Sequence, residues 1–187
     1  TEVGAGGATV TTSSPADNLM KALDSLSRSN VSIFEAGLEH AKTQLQTLMQ
    51  QVQTFLDLRI VISAGPFLYA VIQDGSPNSK QFSRPNVLSI LARYTLRAYV
   101  AVTPSKKLQH LPLIVSAPLN PEQGTCIVIG VPPVSDRSRK NLLGKAFEQA
   151  AKRTNSRYLL DYFDASIIQL KTEDRSKFFD GLIALLS

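Results

Sequence analysis

Cysteine and histidine are nearly missing from this sequence, and their scarcity removes whole classes of chemistry. Cys126 is the only cysteine among 187 residues, so no disulfide forms within the chain. A thiolate metal site is disfavoured for the same reason, since it needs several Cys or His ligands at short spacing. The surrounding run "TCIVIGV" marks Cys126 as a small buried hydrophobe. The two histidines, His40 and His110, have no His, Cys or carboxylate at metal-ligand spacing, and both read as solvated surface residues. No metal and no cofactor is expected.

Phosphate-binding signatures are also missing. "GLEHAK" and "GKAFEQAAKR" combine glycine and lysine without the Gly-x4-Gly-Lys-Ser/Thr spacing that wraps backbone amides around phosphate. "GAGG", Gly4 to Gly7, follows no strand. No Gly-x-Ser-x-Gly elbow is present to expose a nucleophile. Asp161 and Asp164 in "DYFD" would point to opposite faces of a strand, so a paired acid and base is not expected, and at least one of them should stand at a strand end or in a turn. The chain therefore reads as non-enzymatic, and a site assembled from distant residues is the remaining enzymatic alternative.

Long apolar runs are absent as well. A membrane-spanning helix needs roughly 18 to 20 consecutive apolar residues, whereas "LPLIVSAPL", Leu111 to Leu119, is short and interrupted by Pro112 and Pro118. No basic–apolar leader opens the chain at Thr1. The expectation is a soluble protein of an intracellular assembly, with no membrane partner.

What is present is enough for one domain plus an accessory element, with 43% hydrophobic residues to build a core. Charge divides unevenly. Residues 1–58 carry three basic and six acidic side chains, residues 59–187 seventeen basic and nine acidic. A basic domain behind a weakly acidic arm suits an anionic partner, or contact between arm and domain.

Residues 1–13, "TEVGAGGATVTTS", are small and nearly uncharged and are expected to form a flexible tail. Ser14, Pro15 and Asp17 are a helix-start signal. A short helix with Leu19, Leu23 and Leu26 on one face should falter at "SRSN", Ser27 to Asn30. Ser32 and Glu35 then have capping-box spacing, and a helix of close to 40 Å should follow to about Asp57, at roughly 1.5 Å per residue.

That second helix carries an apolar residue at every third or fourth position: Val31, Phe34, Leu38, Ala41, Leu45, Leu48, Val52 and Phe55. The spacing is a coiled-coil heptad. Its flanking positions lack the paired charges of a parallel zipper, and near the end Met49, Leu56 and Leu58 widen the apolar stripe. The expectation is a helix whose last turns dock on the globular domain and whose beginning meets another chain.

Beyond Leu58, "RIVIS" and "FLYAVIQ" predict two strands around "AGP", and "DGSPNSKQFSRPN" a loop. A helix is predicted from about Asn86 to Tyr94, and "LRAYVAV" as a strand from its alternating Leu96, Ala98, Val100 and Val102. "LPLIVSA" and "TCIVIGV" are further strands, the first with Pro112 favouring an edge or a strand start. A helix from about Asp136 to Arg153, one or two strands in "RYLLDYFDASIIQL", and a final helix capped by Thr172 complete the chain. The fold expected is α+β, with a mostly antiparallel sheet of five to six strands covered by helices and preceded by a long helical arm. The domain plan is a tail over residues 1–13, an arm over 14–58 and a globular domain over 59–187.

Two sets of candidate contact residues follow. The heptad residues Val31, Phe34, Leu38, Ala41, Leu45, Leu48, Val52 and Phe55 would form an oligomer or packing interface, with self-association or a multi-subunit complex as the expected partnership. Arg137, Arg139, Lys140, Lys145 and Lys152 lie along the basic helix and would contact an anion or a nucleic-acid backbone. Arg84, Arg93, Arg97, Lys106 and Lys107 form a second basic group. The leading reading is an assembly protein; the alternative is a nucleic-acid-associated protein that grips phosphates.

Overall fold

The computed structural model describes residues 14–135, 141 and 143–187. The expected tail and the basic residues Arg137, Arg139 and Lys140 lie outside them. The chain divides into two compact units, Thr1–Gln46 and Thr47–Ser187.

In the first unit, helix α1 (Pro15–Asp24) starts as its sequence predicts. Ser14 Oγ accepts from the Asp17 amide at 3.1 Å, and the Asp17 carboxylate accepts from the Ser14 amide at 3.1 Å. Each side chain thus satisfies the other's orphan donor. The helix gives way at a 3₁₀ turn, Arg28–Asn30, where Asn30 Nδ2 donates to the Asp24 carbonyl at 3.0 Å. Helix α2 (Val31–Asp57) follows without a break. Ser32 is therefore inside the helix, and the expected cap at Ser32 is replaced by the preceding 3₁₀ turn, which already supplies the first helical dihedrals.

The second unit begins within α2, from Thr47 onward. Arg59 closes the helix at φ 52°, and the Ile60 amide reaches back to the Phe55 carbonyl at 2.9 Å. That six-to-one bond is the Schellman closure, normally built on glycine. Six strands form one sheet in the order β1-β2-β3-β4-β6-β5: β1 (Ile62–Ser63), β2 (Leu68–Val71), β3 (Leu113–Asn120), β4 (Thr125–Val131), β5 (Tyr158–Leu159) and β6 (Ile167–Lys171). All pairings are antiparallel except β2 with β3. A parallel pair needs a long crossover, supplied by helices α3 (Ser79–Phe82) and α4 (Pro85–Val102). Pro112 directly precedes β3, as expected of a strand start, and Pro118 sits where the β3–β4 register shifts.

The strands read as continuous apolar runs because both faces of the sheet are covered. On one face Leu113, Val115, Ile127 and Ile129 pack with Leu48 and Phe55 of α2, Phe82 of α3, and Leu88 and Leu91 of α4. On the other, Ile114, Cys126, Val128 and Ile168 pack with Phe147 of helix α5 (Leu143–Arg153) and Phe178 of helix α6 (Arg175–Leu186). The two lists alternate along each strand, as a period of two requires.

One expected strand is absent. "LRAYVAV" is the end of α4, which runs unbroken to Val102. The alternation of Leu96, Ala98, Val100 and Val102 is incidental; the residues that α4 buries are Val87, Leu88, Leu91, Ala92, Thr95 and Leu96, at helical spacing. The C-terminal helix is also entered differently. Thr172–Asp174 is a 3₁₀ turn leading straight into α6, and Thr172 makes no side-chain cap.

Candidate interaction surfaces

The eight heptad residues divide sharply by burial. Leu48 and Phe55 are buried and Val52 is half-buried, all within the core of the second unit. Val31, Phe34, Leu38, Ala41 and Leu45 are exposed. The contrast is plainest between two phenylalanines of one repeat: Phe55 is 1% accessible and Phe34 45%. Helix α1 adds exposed Leu19, Met20 and Leu23, the turn that follows it exposed Leu26, where the expected helix has already ended, and Ile33 is exposed beside the heptad positions. The first unit thus presents two apolar helix faces to solvent. The α1 face is legible in the spacing of Leu19 and Leu23; Ile33, off the heptad, has no such signal.

Of the basic set, only Lys145 and Lys152 fall within the described residues. Lys145 and Lys152 are exposed on the solvent side of α5. Lys152 is partnered one helical turn away, its Nζ 2.6 Å from Glu148 Oε1, which mutes its charge as a phosphate contact. Arg84 precedes the first turn of α4, with Arg93 and Arg97 further along it, and Lys106 and Lys107 belong to the 3₁₀ segment Lys106–His110.

The tightest charge cluster is one that sequence reading missed. Asp174 Oδ2 accepts from the backbone amide and Nε of Arg157 at 2.8 and 3.1 Å, and Lys177 Nζ lies 2.9 Å from Asp174 Oδ1. Arg157 also pairs with Glu173. These donors, Arg157 foremost, hold the Asp174 carboxyl well below the usual carboxylate range. Arg157 is far in sequence from Glu173, Asp174 and Lys177, and only the fold brings it to them. Their effect is to lock the entry of β5 to the entry of α6.

Asp161 and Asp164 lie in the bend between β5 and β6, and Asp164 Oδ1 accepts from the Ser166 amide at 2.9 Å and its hydroxyl at 2.7 Å. This is a turn-forming carboxylate, as expected. Phe163 stands fully exposed at the same bend, with exposed Leu159 and Leu160 beside it; nothing in the local sequence separates it from a core aromatic. Cys126 is buried, and desolvation pushes its thiol pKa up, which suppresses the reactive thiolate. His40 is exposed, while His110 shares a 2.9 Å hydrogen bond with Ser135. Among the described residues no group of three or more His, Cys, Asp or Glu side chains is placed to hold a metal ion. No described helix is long and apolar enough to cross a membrane.

A six-stranded mixed sheet between two helical layers, with a long N-terminal helix, places the chain among α+β domains. The particular lineage is shown by comparison. The sequence model of the CDC45 family matches residues 6–184, and the chain belongs to that family. It is 49% identical over 172 residues to the cell division control protein 45 homologs of Mus musculus and of Homo sapiens, covering 91% of this chain and 30% of each relative. It therefore spans about a third of the length of these relatives. The crystal structure of CDC45 from Entamoeba histolytica superposes with a TM-score of 0.62 over 95% of this chain and 35% of that one. At 18% sequence identity that likeness speaks for the fold.

Proposed function

We propose that this chain is a non-enzymatic assembly module of a CDC45-type DNA replication factor, and that it joins a multi-subunit complex through the exposed apolar faces of α1 and the first half of α2. The observation that carries this reading is the burial switch along α2: one heptad repeat is core from Leu48 onward and solvent-facing before it. Large apolar side chains grouped on an exposed helix face mark a protein contact. The poor flanking charges of the heptad suit a groove or bundle on a partner better than a parallel two-stranded zipper.

Size-exclusion chromatography with light scattering tests the self-association form of this reading. The native chain and a Phe34→Gln, Leu38→Gln, Leu45→Gln variant are compared over a range of concentrations. A native mass above the monomer that falls to the monomer in the variant supports self-association. A monomer in both rejects self-association.

A second reading is supported by the exposed lysines of α5: the basic set of Arg137, Arg139, Lys140, Lys145 and Lys152 contacts nucleic-acid phosphates without reading bases. Charge reversal at Arg137 and Lys140 should then lower retention on a polyanion and flatten its salt dependence. Unchanged retention rejects that surface.

A further inference from the structure

A cleft of about 270 Å³ opens between α4 and the segment that follows β4. Its floor and far wall are apolar, made by Leu96, Pro132, Pro133 and Val134, and its near rim carries the guanidinium side chains of Arg93 and Arg97. These arginines are four residues apart on α4, so they are neighbours on one helical face. Both are exposed, and neither has an ion-pair partner among the described residues. Like charges one helical turn apart disfavour the helix that holds them, and an anion between them relieves that repulsion.

The wider setting sharpens the charge. From Gly75 through Pro121 the sequence has six Lys and Arg residues and no Asp or Glu. The far wall is also fastened in place. Beside Val134, the Ser135 amide donates to the Gln109 carbonyl at 3.2 Å, and Ser135 Oγ lies 2.9 Å from His110 Nδ1. These bonds tie the segment after β4 to the 3₁₀ turn that carries Lys106 and Lys107. A pre-set wall lowers the ordering cost of binding.

From this geometry we infer that the cleft is a docking site for a short acidic peptide segment of a partner protein. Arg93 and Arg97 take its carboxylates in bidentate hydrogen bonds, and one apolar side chain of the segment seats on Leu96, Pro132 and Pro133. Carboxylate recognition is favoured over nucleic acid because no aromatic side chain among the described residues lines the cleft to stack a base. Among the described residues, two proline rings and a valine beside two cations fit a mixed acidic–apolar segment better than a uniformly charged strand. None of the described residues that line the cleft belongs to α1 or α2.

Fluorescence anisotropy with the full chain tests it. The probes are a fluorescein-labelled Glu-Glu-Leu-Glu-Glu peptide, the same peptide with Ser for Leu, and a labelled oligothymidine of equal net charge. Arg93→Glu with Arg97→Glu should weaken binding of the Leu peptide by about tenfold or more while the melting temperature holds. Arg93→Gln with Arg97→Gln should weaken it less, and Lys145→Glu with Lys152→Glu should leave it unchanged. The Ser peptide should bind more weakly than the Leu peptide. The inference is overturned if the arginine variants bind the Leu peptide as the native chain does. Equal affinity for the Ser peptide also overturns it, reducing the effect to diffuse charge attraction. Tighter oligothymidine binding, lost in the same variants, overturns it in favour of a nucleic-acid site.

Discussion

At the scale of single residues, two positions carry constraints that their chemistry makes testable. Gly144 lies in the first turn of α5, and a Cβ added there would sit 2.8 Å from both the Cβ and the carbonyl oxygen of Ala165. A backbone oxygen cannot swing aside as a side-chain tip can. Gly144→Ala should cost about 1–3 kcal/mol, read from the urea midpoint, whereas Gly37→Ala, with nothing near its added Cβ, should be neutral or slightly stabilising in mid-helix. Asp174 makes the second case. Its folded pKa is depressed by Arg157 and Lys177, so its contribution to stability is complete above the unfolded carboxylate value and is lost as pH falls toward the folded one. The gap in urea midpoint between the native chain and Asp174→Asn should therefore be constant from neutral pH down to about pH 5 and narrow below about pH 4. A gap that widens on acidification would assign the stabilisation to another group.

At the scale of elements, α2 and α4 show what local pattern does and does not determine. The limits of α2 were readable because its apolar period of three and four persists for its whole length, and its loss of strength at Ser27–Asn30 was marked by side chains that compete for backbone bonds. Which turns of α2 face the core is set by tertiary contacts, and the widening stripe from Leu48 onward was the only local hint. Phe55→Ala should cost about 3–5 kcal/mol in thermal or urea unfolding. Phe34→Ala, at a solvent-facing position of the same repeat, should change stability by no more than about 0.5 kcal/mol. Equal losses at the two positions would contradict the burial switch. In α4 the last two turns carry β-branched and aromatic residues whose alternation imitates a strand. The helix wins because Leu88, Leu91, Ala92 and Leu96 form one buried stripe in the core that β3 and β4 share.

At the scale of the whole molecule, the sheet was legible as a set of apolar runs, but its order was not. Strand order, with β6 between β4 and β5 and a parallel step from β2 to β3, depends on which faces the helices cover, and that is long-range information. The same limit applies to the docking surfaces. The heptad announced itself through its spacing, whereas the cleft of Arg93 and Arg97 is visible only once α4 stands beside Pro132 and Pro133. The chain belongs to the CDC45 family and spans about a third of the length of its curated relatives.

The central claim is that the exposed half of the heptad is an intermolecular contact. The most direct measurement places Phe34→Gln, Leu38→Gln and Leu45→Gln in the protein and follows its fractionation by size in gently lysed cells. The expected result is that the native protein travels in a high-mass fraction and the variant shifts to the mass of the free protein, with its melting temperature unchanged. A variant that stays in the high-mass fraction, at native stability and abundance, would contradict the claim.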